Sequence, residues 1–470
     1  MNFKGHRQYQ HRHSQYNVND DHRKYVEQNL QQQDPFNSNE SQHSSRFLGY
    51  NVTPSTRPLP SSSRQRTRHH VEKRTSATLL TKRGSFYLPT AENDLISQLP
   101  FELILQIIQH LDLHSMLILG LVSRRWRSFS LIGEEWHRRM QQQGWKFHLP
   151  NYLQPYVSLD RIDWRYWYIQ RYRLEQRWKL GRVNASFLSD HKDGVYCLQF
   201  DDRKIISGSR DRTIKIWDAV SFQCVRTLVG HEGSVLCLHY NQDYLVTGSS
   251  DATVIVWCMR ELKQLTRIRG HTAKISEICF NDDYLISGSR DHTIRITRMK
   301  TWELVRVIPA HDGHINAIKL HGSHLLSASK DRTLRLWDIE TGQLLQEYVG
   351  HDDAVSCAAF DGTTIVSGSL DKTIKIWNAQ TGECLRTLEG HLGLVRALSF
   401  SQGRIVSAGY DQSIRVWDAD TGECLLNYQD GHTAWVFDVK FDEKRIVSAS
   451  QDRNILVMDF ANGLDTRCIC

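Results

Sequence analysis

From about residue 190 onward the apolar and polar positions fall into one repeating frame. An alternating stretch, Val195 to Phe200, leads to a second that ends in small residues, Ile205 to Ser209, and then through a turn to a β-branched run, Thr213 to Trp217. Period-two alternation broken by turn residues predicts short antiparallel strands. A frame of about 40 residues has room for four of them. Fixed polar positions mark each frame. His191, His231, His271, His311, His351, His391 and His432 are each followed twenty residues later by an aspartate: Asp211, Asp251, Asp291, Asp331, Asp371, Asp411 and Asp452. Four residues before every aspartate stands a hydroxyl (Ser207, Thr247, Ser287, Ser327, Ser367, Ser407, Ser448). Six residues after it stands Trp217, Trp257, Trp337, Trp377 or Trp417, with Thr297 and Met458 in the third and seventh frames. Consecutive strands reverse direction, so the histidine loop and the aspartate turn share one end of each four-stranded unit. There imidazole, carboxylate, hydroxyl and indole can satisfy one another in a buried chain. Breaking one chain is expected to cost about 1–3 kcal/mol, and the two frames without tryptophan are expected to be the weaker units.

Seven units suffice to close a ring. A period of about 40 to 45 residues with glycine-histidine at one end and tryptophan-aspartate at the other resembles the WD-repeat β-propeller, one blade per repeat. The seventh unit has strands near Ala434 to Phe441, Arg445 to Ser450 and Asn454 to Phe460, and no fourth. The segment Arg182 to Leu188 stands where every other fourth strand stands relative to a histidine. It is expected to close the ring as the outer strand of the last blade and so remove an open edge. Ser, His and Asp together also suggest a hydrolase, but seven equivalent triads are not seven active sites. No catalytic residue, metal ligand or cofactor is assigned, and the chain is expected not to be an enzyme.

Composition adds bounds. Residues 1 to 90 hold 14 Lys and Arg against 6 Asp and Glu, a net +8, so the +7 of the whole 470-residue chain is essentially that of this segment. It has too few large apolar side chains to offset the entropy of ordering and is expected to be disordered. Its basic run from Arg64 to Arg74 suits a solvated tail or an import signal. All ten cysteines fall at or after Cys197, without zinc spacing, and no secretory leader or membrane-length apolar run is seen. A reduced home, cytoplasm and/or nucleus, is expected, with no membrane partner.

Between tail and propeller, Leu99 and Pro100 open an amphipathic helix in which Ile104, Ile107, Ile108 and Leu111 recur at helical spacing. Asp112 offers a cap to a second apolar run, Met116 to Val122, which leads to Ser123, Arg124, Arg125 and Trp126. So small a unit cannot hide all its apolar side chains, and it is expected to be half of an interface. The run LPFELILQIIQHLDLHSMLILGLVSRRW resembles an F-box, and an F-box followed by seven WD repeats is similar to the substrate receptors of Skp–cullin–F-box ubiquitin ligases. The resemblance implies that Leu99, Pro100, Leu103, Ile107, Leu111, Val122 and Trp126 face a Skp-type adaptor and, through it, a cullin–RING ligase, while the propeller holds a protein marked for degradation. The expected architecture is therefore a disordered tail (1–90), an all-α F-box (94–140), a helical linker (141–181), an all-β seven-bladed propeller (182–462) and a short tail (463–470). Over residues 134 to 180, which connect the two modules, Trp136, Trp145, Trp164, Trp167 and Trp178 interleave with Arg161, Arg165, Arg171, Arg173 and Arg177. That mixture suits a strut whose arginine stems cover apolar surface better than a nucleic-acid site. The alternative to a ligase subunit is a WD-repeat scaffold for complex assembly, and a homodimer stays open.

The ligand follows from charge. The residue before each aspartate reads Arg210, Ser250, Arg290, Lys330, Leu370, Tyr410, Gln451, and the fifth after each histidine reads Tyr196, Leu236, Ser276, Asn316, Ser356, Arg396, Phe437. Both sets are expected to ring the channel mouth. Four of the fourteen are basic and none is acidic, and cations gathered round one mouth call for an anion, with the arginine fork suited to phosphate. A phosphopeptide is expected on Arg210, Arg290, Lys330 and Arg396, with hydroxyls from Tyr196, Tyr410, Ser234 and Ser250 and apolar contact from Leu236 and Phe437. The stretches GVYCLQFDDRKIISGSRDRTIKIWD, GSVLCL and LVR…GYD resemble the first, second and sixth blades of the β-transducin-repeat-containing F-box receptors. In that family the positions matching Tyr196, Arg210, Ser234, Ser250, Asn316, Arg396 and Tyr410 contact a doubly phosphorylated Asp-Ser-Gly type degron. The fifth blade departs, with Asp353, Ser356 and Leu370 where that subfamily has basic, small or hydroxyl residues.

Overall fold

A computed structural model of the chain describes residues 99–149 and 162–469. The expected disordered tail, Arg161 and Cys470 lie outside the described residues. The chain divides between Arg139 and Met140 into two compact units.

The first unit is helical. Helix α1 (Phe101–Gln109) starts after Pro100, whose carbonyl accepts the N–H of Leu103 and of Ile104 at 3.1 and 3.2 Å. Asp112 caps α2 (Leu113–Val122) by accepting the Ser115 N–H at 3.3 Å, and Ser123 caps α3 (Arg124–Ser130) by accepting the Trp126 N–H at 3.2 Å. Each supplies an acceptor for one of the amides that a helix start leaves bare. Helix α4 (Gly133–Gln142) follows, and its Arg139 guanidinium donates to the carbonyls of Ile108 and Leu111, both at 2.8 Å. Ile104, Ile108, Met116, Trp126 and Trp136 form the interior.

The second unit is a ring of seven four-stranded antiparallel sheets. The first blade runs Val195–Phe200, Lys204–Ser209, Thr213–Asp218, Cys224–Val229 in sheet order, and the next five repeat it. In the last, Val436–Phe441, Arg445–Ser450 and Ile455–Asp459 are joined by Asn184–Leu188, which pairs with Ile455–Asp459 from Asn184 opposite Asp459 to Leu188 opposite Ile455. The two ends of the propeller sequence thus close one blade, as the pattern implies. The first strands of neighbouring blades pack together around the axis. Middle strands such as Thr213–Asp218 are buried almost throughout, because a neighbouring blade covers each face of the sheet. Core clusters accordingly straddle blades: Ile206, Ile214 and Ile216 of the first pack with Val235, Leu245 and Trp257 of the second. Side chains also sew the inner strands together, each by accepting the N–H of the next blade: Gln199 from Tyr240, His239 from Phe280, Glu277 from Ile318 and Asp438 from Leu198.

Helix α5 (Trp164–Leu180) lies against the last two blades. Asp163 caps its start, and Gly181, at φ 65°, ends it in a left-handed conformation where a Cβ would also come within 2.9 Å of Leu426. Leu174 and Trp178 enter the core of blades six and seven, with Trp178 stacked on Phe460 at 3.7 Å. Arg177 donates to the carbonyls of Phe460 and Asn462, Arg171 pairs with Glu443, and Arg404 pairs with Glu175. Here arginines and tryptophans of the linker bind the propeller itself. The segment after the last strand is also fixed: Cys468 and Ile469 are buried, and their carbonyls accept from the His148 N–H and the Arg171 guanidinium.

Candidate functional site

One end of the ring is built seven times over by the same polar chain. In the first blade His191 Nδ1 meets Asp211 Oδ2 at 2.9 Å, His191 Nε2 meets Ser207 Oγ at 2.8 Å, and Trp217 Nε1 donates to the same hydroxyl at 2.9 Å. The imidazole–carboxylate contact recurs in the other six at 2.7 to 3.0 Å. Each aspartate also accepts the backbone N–H two residues on, and in every blade but the fourth that of the residue after the histidine, as Asp211 does from Thr213 and Lys192 at 2.9 Å. That holds the next residue at positive φ although it is never glycine: Arg212, Ala252, His292, Arg332, Lys372, Gln412 and Arg453. Burial alone would raise these carboxyls. Hydrogen bonds from imidazole, hydroxyl and amide outweigh it, holding Asp211, Asp251, Asp331 and Asp411 far below the ordinary carboxylate value and Asp291 at about 2. Burial pushes His231, His271 and His351 down against the pull of their aspartates.

These braced turns carry the residue before each aspartate. Its N–H donates to the carbonyl of the third residue after the histidine in every blade: Arg210 to Gly194, Ser250 to Ser234, Arg290 to Lys274, Lys330 to His314, Leu370 to Ala354, Tyr410 to Leu394 and Gln451 to Trp435. The fifth residue after each histidine falls at a bulge in the inner strand, where the register slips between its two neighbours, in all seven blades. A bulge re-aims a side chain. Here Tyr196, Leu236, Ser276, Asn316, Ser356, Arg396 and Phe437 all line the central channel. Three of the predicted cations, Arg210, Arg290 and Lys330, are exposed on the turns, and Arg396 reaches the channel wall. Arg210 faces Asp193 at 3.7 Å. Among the described residues no carboxylate lies within ion-pair distance of Arg290, Lys330 or Arg396.

Some predicted contacts already have partners. Ser250 Oγ accepts the Ser234 N–H at 2.8 Å, and the Asn316 amide donates to Val355 O at 2.8 Å across a blade junction. Ser356 likewise donates to Val395 O. Below the mouth the channel carries carboxylates as well as cations, since Glu277 pairs with Lys319, and Asp438 with Lys440. The third residue after each histidine is a ring that the fourteen positions leave out. It adds exposed Lys274 beside Arg290, His314 with Nδ1 2.7 Å from Arg290 O, and Trp435. The signal was available in the sequence, because this residue keeps constant spacing from the histidine.

On the helical unit, Pro100, Leu103, Ile107 and Val122 are exposed, and Leu99 and Leu111 are half-buried. Trp126 departs from expectation. It is 5% exposed and packs edge-on to Phe129 at 5.7 Å, so it holds the unit together and does not face outward. Phe101, Ile118 and Leu121, absent from the predicted set, are exposed, Leu121 by 83%.

A family model described as F-box domain matches residues 96–138. One described as WD domain, G-beta repeat, matches 182–218, 222–258, 262–297, 302–338, 342–378, 382–418 and 422–459. The chain is 34% identical over 171 residues to "F-box and WD repeat domain-containing 11-A" of Danio rerio, covering 31% of this chain and 30% of that protein. It is 32% identical over 157 residues to "F-box/WD repeat-containing protein 7" of Drosophila melanogaster, covering 30% and 11%. To "Probable E3 ubiquitin ligase complex SCF subunit sconB" of Arthroderma otae it is 29% identical over 162 residues, covering 29% and 24%. The chain thus matches less than a third of these relatives' own length. Among solved structures, the WD40 β-propeller domain of Doa1 superposes with a TM-score of 0.54 at 25% identity, covering 59% of this chain and 97% of that one. The computationally designed Ika8 protein gives 0.50 at 33% identity, covering 57% and 84%.

Proposed function

With seven G-beta repeats and an F-box ahead of them, the chain belongs to the WD-repeat family as one of its F-box/WD members, and on that premise we propose that it is the substrate-recognition subunit of a Skp–cullin–F-box ubiquitin ligase. The exposed apolar face of α1 and α2 takes a Skp-type adaptor, and the braced end of the propeller takes a phosphorylated degron and presents its owner for ubiquitination. The chain itself performs no chemistry in this scheme. The seven His–Asp–hydroxyl chains brace turns, with each imidazole engaged on both ring nitrogens.

The observation that carries the phosphate assignment is the charge state of the rim. Among the described residues, Arg290, Lys330 and Arg396 have no carboxylate within ion-pair distance, and Arg210 has one at 3.7 Å. Like charges so gathered repel until an anion arrives, and a dianionic phosphate can accept several guanidinium hydrogen bonds at once. Leu370 supplies no such donor on the fifth blade, so Lys330 and Arg290, beside Lys274, are assigned the second anionic group of a degron that carries two.

The test is a pull-down after brief proteasome inhibition, comparing the wild type with Arg210→Ala and Arg396→Ala. Phosphorylated clients should be lost from both variants while the adaptor stays bound. Retention of every phosphorylated client by both variants would remove the pocket assignment. Co-purification of clients with no Skp-type adaptor would favour a scaffold.

A further inference from the structure

The end of the propeller opposite the braced turns holds a cavity of about 390 Å³ where blades six, seven and one meet. Phe200 and Phe441 wall it, Ser399 and Lys440 reach into it, and Asp201, Asp202 and Asp442 of the hairpins form its lip.

Donors outnumber acceptors inside. Along the free edge of an inner strand, alternate N–H groups point away from the sheet toward the preceding blade. Those of Tyr240 and Phe280 are accepted by Gln199 and His239, each the eighth residue after its blade's histidine. At the cavity that position is held by Ser399, whose hydroxyl makes no hydrogen bond among the described residues, and by Lys440, which cannot accept. The N–H groups of Phe200 and Phe441 point the same way, because the next amides, those of Asp201 and Asp442, are the ones that bond within the hairpins, to Lys204 O at 2.9 Å and Arg445 O at 3.0 Å. Neither finds an acceptor among the described residues. Lys440 has one carboxylate contact there, Asp438, at 3.7 Å.

Two backbone amides, an ammonium and a hydroxyl thus line one space beside two aromatic rings, an arrangement that calls for an anionic acceptor. The aspartates of the lip do not meet that demand, since they are engaged elsewhere. Asp201 pairs with Lys204, Asp202 with Lys444 at 2.9 Å, and Asp442 accepts the N–H groups of Lys444 and Arg445 at 2.7 Å. They do stand against a second negative charge. We propose that the cavity is a ligand site, separate from the rim and independent of the receptor function, for a small organic acid with one carboxylate and an apolar body. The carboxylate is assigned to Lys440 and the Phe200 amide across the same blade junction, and the apolar body to the faces of Phe200 and Phe441. The volume falls within the range of small-molecule sites, about 300–1,000 Å³.

The test is calorimetry on the full-length chain with 3-phenylpropionate and hexanoate, each beside its neutral amide, and with benzylsuccinate as a dianion. Both acids should bind at least about tenfold more tightly than their amides, the factor expected from one charge-assisted bond. Benzylsuccinate should bind more weakly than 3-phenylpropionate. Lys440→Met should remove the discrimination between acid and amide, and Lys440→Arg should keep it. Ser399→Glu puts a carboxylate inside the cavity, where it can accept the free Phe441 N–H, and should abolish binding of the acids without lowering the melting temperature. Equal affinity for acid and amide, tighter binding of benzylsuccinate, wild-type affinity in Ser399→Glu, or no binding of either acid at up to about 10 mM would overturn the site.

Discussion

The helical unit and the braced end of the propeller are both left incomplete by the chain's own fold, but in opposite ways. The helices hold Leu121 and Val122 in water at 83% and 64% exposure and buttress them from behind with Ile104, Met116 and Trp126. The propeller end instead holds Arg290, Lys330 and Arg396 with no carboxylate within ion-pair distance among the described residues, and Arg210 with one at 3.7 Å. An apolar face is completed by another apolar face, with little regard to salt. A cationic rim is completed only by an anion, and its strength falls with ionic strength. The chemistry of each deficit sets the class of partner proposed for it.

The largest separation of the two regions should come from charging the hook. Leu103→Asp with Ile107→Asp should weaken adaptor binding at least about a hundredfold, because two carboxylates would have to leave water at the interface. Both side chains are exposed, so the melting temperature should hardly move, and phosphopeptide affinity measured by anisotropy should stay at the wild-type value. Next in size, Arg210→Ala or Arg396→Ala should weaken phosphopeptide binding about 10- to 100-fold through loss of charge-assisted bonds. Adaptor affinity in these variants, read by calorimetry, should be unaltered.

The braced turns give a third, smaller effect. Asp411→Asn weakens the bond to His391 and should cost about 1–3 kcal/mol in denaturant unfolding, with Tyr410 loosened and the hook untouched. The same chains set the pH response. His231, His271 and His351 are depressed by burial, and His239 is brought down to about 4 by the same cause. Their contribution is complete above the unfolded value of about 6.5 and is lost as pH falls below it. The depressed aspartates act in the same direction at lower pH, holding their contribution above about 3.9 and losing it as pH drops through their folded values. Unfolding midpoints should therefore fall on acidification from about pH 6.5, opposed in part by Asp442, whose carboxyl is pushed up by burial and so gains stability as pH drops. Smallest of all, raising salt from low to high ionic strength should weaken phosphopeptide binding several-fold and adaptor binding less than about twofold.

Local periodicity made the blades legible. Alternation marks strands whose two faces are both covered, and the constant histidine-to-aspartate step places two loops at one end. Closure by Asn184–Leu188 was legible too, because only one stretch stands at the right distance from a histidine. Features made by contacts between distant parts of the chain were not. The stacking of Trp435 on Tyr410 joins neighbouring blades and leaves no mark in either repeat alone. Residues 463–470 read as a tail, but within it Cys468 and Ile469 are partnered by His148 and Arg171, about 300 positions earlier. Trp126 departs for a related reason: it turns inward on its own short helix, Arg124–Ser130, where Phe129 packs edge-on against it.

The most direct measurement is ubiquitin transfer to a phosphorylated client by a ligase reassembled around this chain, run in parallel with the dephosphorylated client. Transfer should require the phosphate and should fail in both the Arg210→Ala/Arg396→Ala and the Leu103→Asp/Ile107→Asp proteins. The first should still hold the adaptor, and the second should still hold the client. Equal transfer to the dephosphorylated client, or full transfer by either double variant, would contradict the assignment of one anionic and one apolar partner to these two regions.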